Sequence, residues 1–172
     1  MKQLHAYSRI LILIPLFLAG CATAPLKGIT PDGAKAYLGP VPIQGTEAYQ
    51  AFLNSPRAEV SEQTYLFSRL KLAPDLSFYH DGNWYNWLQA YRGGMWLMRN
   101  RYKKGQDTRT FLKDYVWHSE TTGKVHLVKY PDGTVHEGYY VLLNELDLLE
   151  ETFKSVPNSQ SGPGSVAPPS AQ

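Results

Sequence analysis

The strongest pattern in this chain is a central run of large apolar side chains at helical spacing. The side chains that recur three and four residues apart are Trp84, Trp87, Leu88, Tyr91, Met95, Met98 and Tyr102. This spacing puts them on one side of an α-helix, which another element must then cover. Each of Gly93 and Gly94 costs about 1 kcal/mol relative to alanine inside a helix. We therefore predict a helix capped by Asn83, in which the glycine pair marks a kink, a break or a close helix crossing.

Four shorter stretches also show helical signals. Thr46 precedes a predicted helix over Glu47–Leu53. Ser55 and Pro56 are typical of a cap and a first helical position, which predicts a second helix reaching about Leu72. Asp107 or Thr108 begins a predicted helix to about Trp117, and leucines dominate a final predicted helix from Gly138 to Phe153.

The remaining ordered segments read as short strands. A strand candidate over 76–79 ends at the turn pair Asp81-Gly82. Residues 124–130 alternate, and Pro131-Asp132-Gly133 is a tight turn before a return strand over 134–136. The predicted fold class is therefore α+β, mainly α, with several amphipathic helices packed with a small β-hairpin.

The N-terminus carries an export signal. Lys2 and Arg9 precede the apolar run 10–18, which is too short to span a bilayer, since that takes about 20 residues. The run is typical of a secretory signal peptide. It ends in Leu18-Ala19-Gly20-Cys21, which resembles a bacterial lipobox. The alternative is an ordinary signal peptide with a chance cysteine.

The lipobox resemblance implies that residues 1–20 are removed and that Cys21 carries a diacylglyceryl group and an N-acyl chain. Together the acyl chains anchor a protein firmly to a membrane. Ala22 follows the cysteine, and by resemblance to enterobacterial lipoproteins this implies an outer-membrane anchor with the domain facing the periplasm. We expect no other cofactor and no metal.

Cleavage also changes the charge balance. The whole chain has 17 basic and 15 acidic residues, and loss of Lys2 and Arg9 leaves 15 of each. A neutral, exported domain is not a nucleic-acid binder.

Composition divides the mature chain into three parts. Residues 21–45 are rich in Pro and Gly, which favours a tether, although Tyr37, Leu38, Val41 and Ile43 leave docking on the domain open. Residues 46–155 form the predicted globular domain. Residues 156–172 are rich in Pro, Ser and Gly and predict a disordered tail.

The order of motifs over about residues 58–150 resembles the YfeK-like group of exported bacterial proteins. The matching motifs are Phe78-x-x-Asp81-Gly82-x-x-Tyr85, Arg99-Asn100-Arg101-Tyr102-Lys103-Lys104, Thr110-Phe111, Ser119-x-x-x-Gly123-Lys124 and Asp132-Gly133. A His-Leu pair expected in the long helix is replaced by Leu97-Met98. The resemblance implies export and the fold but no activity, because the group has none assigned.

The clearest candidate binding surface is a basic run. Its positive residues are Arg92, Arg99, Arg101, Lys103, Lys104, Arg109 and Lys113. Such a run suits an acidic envelope protein or another anionic envelope component. The alternative is a solvated face balanced by acidic residues at and within the last helix, namely Glu137, Glu145, Asp147, Glu150 and Glu151. Within the run, Arg99, Arg101, Lys103 and Lys104 are the predicted partner-binding residues.

Two further sets of residues, one aromatic and one of histidines, are candidates for a functional site but also have purely structural explanations. Trp84, Trp87 and Tyr91 suit a carbohydrate or peptide groove, but this spacing more often builds a core. The mature histidines are His80, His118, His126 and His136, without an HExxH arrangement or a cysteine ligand. His118-Ser119-Glu120 holds three catalytic residue types, yet adjacent side chains point apart.

These patterns predict a non-enzymatic binding or interaction module of the envelope. A cell-wall enzyme, or an inhibitor of one, is the alternative, and a purely structural role in envelope assembly is a third. A histidine and a carboxylate converging in a pocket would favour the enzyme.

Overall fold

The computed structural model describes residues 24–56 and 58–155. The predicted signal peptide 1–20, the predicted lipobox with Cys21 and the predicted tail 156–172 lie outside the described residues. Among the helices of the described ranges, none combines the length and the apolar character needed to span a membrane.

Five α-helices and four strands make up the described part of the chain. The helices are α1 (Glu47–Leu53), α2 (Glu59–Arg69), α3 (Trp87–Arg101), α4 (Thr108–Phe111) and α5 (Gly138–Ser155). The strands are β1 (Ser77–His80), β2 (Asn83–Tyr85), β3 (Leu127–Lys129) and β4 (Val135–Glu137). A 3-10 turn, Leu70–Leu72, extends α2, and a π-helical segment, Leu112–Val116, extends α4. The predicted α+β, mainly α fold class is confirmed.

The strands form one antiparallel sheet in the order β2-β1-β3-β4, which is larger than the predicted hairpin. The predicted hairpin is β3–β4, and β1–β2 is a second one. Asp81 and Gly82 form the two-residue turn of β1–β2, with φ of 48° and 98°. This left-handed pair matches the twist of a tight hairpin. Phe78 pairs with both Tyr85 and Val128, so these three side chains lie on one face of the sheet.

The predicted start of the long helix was wrong. Trp84 belongs to β2, where it pairs with Tyr79, because the Asp81-Gly82 turn returns the chain along β1. The cap of α3 is Asn86, whose side chain accepts from the Gln89 N–H at 3.0 Å. The Gln89 side chain accepts from the Asn86 N–H at 3.1 Å, which completes a capping box.

The predicted cap of the second helix was also wrong. The Ser55 hydroxyl donates to the Phe52 carbonyl at 2.7 Å, so it closes α1. The second helix begins at Glu59, three residues after Pro56.

The glycine pair of α3 marks a close helix crossing. A Cβ on Gly94 would lie 2.3 Å from Cδ1 of Phe67 on α2, whereas a Cβ on Gly93 would meet nothing within 4 Å. The two helices approach closely because Gly94 has no side chain at their contact.

Residues 26–45 pack on the domain. Of the two possibilities for this segment, docking on the domain is therefore observed and a free tether is not. Leu38 and Ile43 are buried. The Leu38 N–H donates to Glu145 Oε1 at 2.7 Å, and the Asn144 amide donates to the carbonyls of Gly28 and Ala36. Because the segment has no helix of its own, some of its backbone groups are satisfied by α5 side chains and others by β4 or by the segment itself, as in the bond from the Leu26 N–H to the Val135 carbonyl.

A buried ion pair joins this segment to the helices. Arg69 and Glu145 are both 0% exposed, with Arg69 Nε 2.8 Å from Glu145 Oε2. Arg69 Nη2 also donates to Glu145 Oε1 at 3.2 Å and to the Pro40 carbonyl at 3.0 Å. The pair therefore links α2, α5 and the N-terminal segment. Glu145 balances Arg69, not the basic run as the sequence suggested.

Candidate functional site

A cavity of about 680 Å³ lies between α3, the sheet and the π-helical segment. Ligand pockets commonly have about 300–1,000 Å³. Most of its walls are apolar, including Phe67, Leu70, Phe78, Leu97, Val128 and Leu142. The cavity therefore has the size and the lining of a small-molecule site.

Helix α3 provides one side of the cavity and its mouth. The residues of this helix that line the cavity include Arg92, Gly93, Trp96 and Arg101. Gly93 leaves its part of the wall open because it has no side chain. Trp96 is 53% exposed, and the Arg101 guanidinium lies 5.7 Å from its ring centroid. Arg101 Nη2 also lies 2.6 Å from Glu120 Oε2, so this ion pair connects α3 to the loop before β3.

Two histidines meet at the cavity wall because of the strand register. Phe78 on β1 pairs with Val128 on β3. Because the two strands are antiparallel, His80, two residues after Phe78, lies beside His126, two residues before Val128. His80 Nδ1 is 2.8 Å from His126 Nε2, and His126 Nδ1 is 2.7 Å from the Val116 carbonyl oxygen. A carbonyl only accepts, so His126 Nδ1 carries hydrogen and its Nε2 accepts from His80. Burial lowers the pKa of His126, which favours this neutral form.

Asp81 completes a polar network beside this pair. Its Oδ2 lies 3.5 Å from His80 Nε2 and accepts from the Ser119 hydroxyl at 2.9 Å. Its Oδ1 accepts from the Thr122 hydroxyl. The hydrogen bond from Thr122 is the largest cause of a lowered pKa at Asp81, so this carboxylate stays ionised.

The network lacks the geometry of a serine triad, in agreement with the sequence argument about His118-Ser119-Glu120. The Ser119 hydroxyl donates to a carboxylate and not to a histidine. Its oxygen also accepts from the N–H groups of Thr121 and Thr122 at 3.1 and 3.3 Å, so Ser119 builds the turn. What remains is a contact between His80, which lines the cavity, and the Asp81 carboxylate beside it. Residues 24–56 and 58–155 contain no cluster of three or more His, Cys, Asp or Glu suited to a metal ion.

The basic run is divided by the fold. Arg101 lines the cavity, whereas Arg99, Lys103 and Lys104 are exposed outside its lining. Arg109 binds Asp147 and Glu150 on α5, both at 2.8 Å. Glu137 instead accepts from the Trp117 indole at 2.8 Å. Acidic residues of the last helix therefore neutralise the basic run at Arg109, as the alternative interpretation expected. Of the four predicted partner-binding residues, Arg101 lines the cavity.

Trp84, Trp87 and Tyr91 form neither the favoured buried core set nor the alternative groove as one set. Trp84 is 44% exposed on the opposite sheet face, with its ring 5.4 Å from that of Tyr79. Lys129 Nζ lies 5.2 Å above the Trp84 ring. Trp87 and Tyr91 are half-buried on α3.

Sequence reasoning missed the cavity and the His80–His126 contact. The alternation that places His126 and Val128 on one strand face was visible, but the pairing of β1 with β3 was not. Only that pairing brings His80 beside His126.

No protein-family model, no curated protein and no solved structure matches this chain. The resemblances to lipobox signals and to the YfeK-like group therefore stay predictions from the sequence.

Proposed function

We propose that this chain is a lipoprotein of the bacterial cell envelope that binds a small ligand in the cavity beneath α3. In this proposal Cys21 carries the lipid, the anchor lies in the outer membrane and the folded domain faces the periplasm. The Leu18-Ala19-Gly20-Cys21 motif supports the anchor. The cavity supports the binding activity.

The cavity volume is the observation that carries the binding proposal. Ligand pockets that open to solvent commonly have about 300–1,000 Å³. This space has about 680 Å³, and it lies against core side chains such as Phe67, Leu70 and Leu142. Transfer of an apolar ligand into it removes apolar surface of both partners from water. Arg101 connects this proposal to the predicted binding of an anionic envelope component.

A steric plug tests the binding proposal. Gly93→Leu adds a side chain at a position that lines the cavity and has free space. Asn100→Leu is the matched control, because Asn100 is exposed on α3 outside the lining. The probe is 1-N-phenylnaphthylamine, whose fluorescence rises in apolar sites, added to residues 22–172, which include every element described above.

We expect the unaltered chain and Asn100→Leu to bind the probe with equal affinity, and Gly93→Leu to bind it at least about tenfold more weakly, a loss of 1.4 kcal/mol. Circular dichroism checks that both variants fold. Equal binding by a folded Gly93→Leu variant would refute the cavity as the site.

The anchor is tested separately. The chain contains one cysteine, so Cys21→Ser removes the sole predicted acylation site. We expect radioactive palmitate to label the unaltered protein in cells and not Cys21→Ser. Labelling of the variant would contradict the proposed anchor.

A second function, acid–base catalysis on a cell-wall substrate, is favoured by the contact between the cavity-lining His80 and His126 and by the Asp81 carboxylate beside His80. His80→Ala removes the histidine that contacts both partners, and His118→Ala serves as the control. Purified peptidoglycan is incubated with each protein, and released fragments are measured by mass spectrometry. Fragments that depend on His80 and not on His118 would establish the enzyme, and their absence supports binding alone.

A further inference from the structure

Building on the proposed binding function, we infer that the ligand is an amphiphile with a single hydrocarbon chain and an anionic head group. The hydrocarbon chain lies among the apolar inner walls, and the head group lies at Arg92, a cationic lining residue without an ion pair in the described part of the chain. This juxtaposition of an apolar interior and an unpaired cation carries the inference.

The interior is suited to a hydrocarbon chain. Leu38, Leu70 and Leu142 are buried core residues that also line the cavity. Phe67, held against Gly94, forms another part of the wall. These side chains offer no hydrogen bonds, so a sugar ring placed among them would lose its bonds to water without replacement. A hydrocarbon chain loses no hydrogen bonds there and gains from each methylene removed from water.

The polar residues of the lining are contiguous through their contacts. His80 contacts Asp81, and Asp81 accepts from Ser119. Ser119 is followed in the chain by Glu120, which binds Arg101. The lining therefore has a polar side, and a ligand that fills the whole cavity needs both an apolar part and a polar part.

The charges at the mouth favour an anionic head group. Arg92 is exposed, lines the cavity and has no ion pair within residues 24–56 and 58–155. Arg101 is already paired with Glu120, with Nη2 2.6 Å from Oε2, so the charge of that pair is balanced. Arg92 therefore carries the uncompensated positive charge of the lining. Arginine binds carboxylates and phosphates through paired N–H groups.

Competition against bound 1-N-phenylnaphthylamine tests the inference. The competitors are laurate, dodecyl phosphate and dodecyltrimethylammonium, each below its critical micelle concentration. All three share the hydrocarbon chain and differ in the head group. We expect both anions to displace the probe at least about tenfold more effectively than the cation, the size typical of a hydrogen bond to a charged group. Laurate and dodecyl phosphate distinguish a carboxylate from a phosphate head.

Two matched single variants locate the preference. Arg92→Gln removes the unpaired positive charge of the lining and should abolish the preference for anions. Arg99→Gln removes the same charge at an exposed position of α3 outside the lining and should preserve it. Equal displacement by anions and cation, or equal loss in both variants, would overturn the inference. Failure of the probe to bind at all would instead overturn the proposed function.

Discussion

Gly93 and Gly94 are adjacent on α3, yet the same substitution should change stability in opposite directions. A Cβ on Gly93 meets nothing within 4 Å. A Cβ on Gly94 would lie 2.3, 2.7 and 2.8 Å from three atoms of the Phe67 ring. That ring is 2% exposed and packs edge-on against Phe111, with centroids 6.4 Å apart, so it has little room to move.

The expected magnitudes follow from two terms. Replacing glycine by alanine within a helix gains about 0.5–1 kcal/mol at either position. Overpacking of a filled core typically costs about 1–3 kcal/mol, and this cost applies only at Gly94. The carbon–carbon approach at Gly94 is severe, which favours the upper end of that range. We expect Gly93→Ala to stabilise the domain by about 0.5–1 kcal/mol and Gly94→Ala to destabilise it by about 1–2 kcal/mol.

Urea unfolding followed by circular dichroism measures both free energies, with the unaltered chain as reference. The slope with urea should be the same for all three proteins, since their buried surfaces are nearly equal. A Phe67→Ala background is the control, because removing the ring should cancel most of the cost of Gly94→Ala. Equal stability of Gly93→Ala and Gly94→Ala would refute the close crossing as the reason for the glycine.

Three further predictions concern buried polar groups. Glu145→Ala leaves the Arg69 charge buried without its partner and should cost about 3–5 kcal/mol in urea unfolding; a loss below 1 kcal/mol would contradict the buried pair. Asn144→Ala removes bonds to the carbonyls of Gly28 and Ala36, so we expect a loss of about 1–3 kcal/mol and faster limited proteolysis before residue 45. An unchanged cleavage rate would count against this docking. Burial lowers the pKa of His136, so the unfolded chain takes up this proton first and stability falls as pH drops below about 6.5. His136→Phe should reduce the slope of stability between pH 7 and 5, which thermal unfolding at several pH values measures; an identical slope would exclude His136 as its source.

Features specified by neighbouring residues were predictable. The bounds of α1 were confirmed, and Thr46, which precedes it, is its N-cap, because a cap depends on residues three positions apart. Asp81-Gly82 and Asp132-Gly133 lie at turns as predicted, since both glycines adopt a positive φ, although only the second turn was predicted to join a hairpin. The last helix begins at Gly138 as predicted, following the spacing of its leucines.

Local signals failed where two of them competed. Trp84 fits the helical spacing of α3 and also the strand after Asp81-Gly82, and pairing with Tyr79 decided for the strand. Val60 has the helical spacing of the apolar side chains of α2. It is nevertheless 40% exposed, because it is the second residue of that helix. Spacing alone does not report whether a neighbour covers a side chain.

The chemistry of this protein depends on contacts between distant parts of the chain. Composition and short-range spacing are enough to predict the N-terminal signal motif and most of the helices. His80 and His126 are 46 positions apart, and Arg69 and Glu145 are 76 apart. Their meeting depends on strand register and helix packing, which minimise exposed apolar surface over the whole domain. No local pattern encodes such partners, so the cavity and its polar side emerge only when the sheet and α3 are packed together.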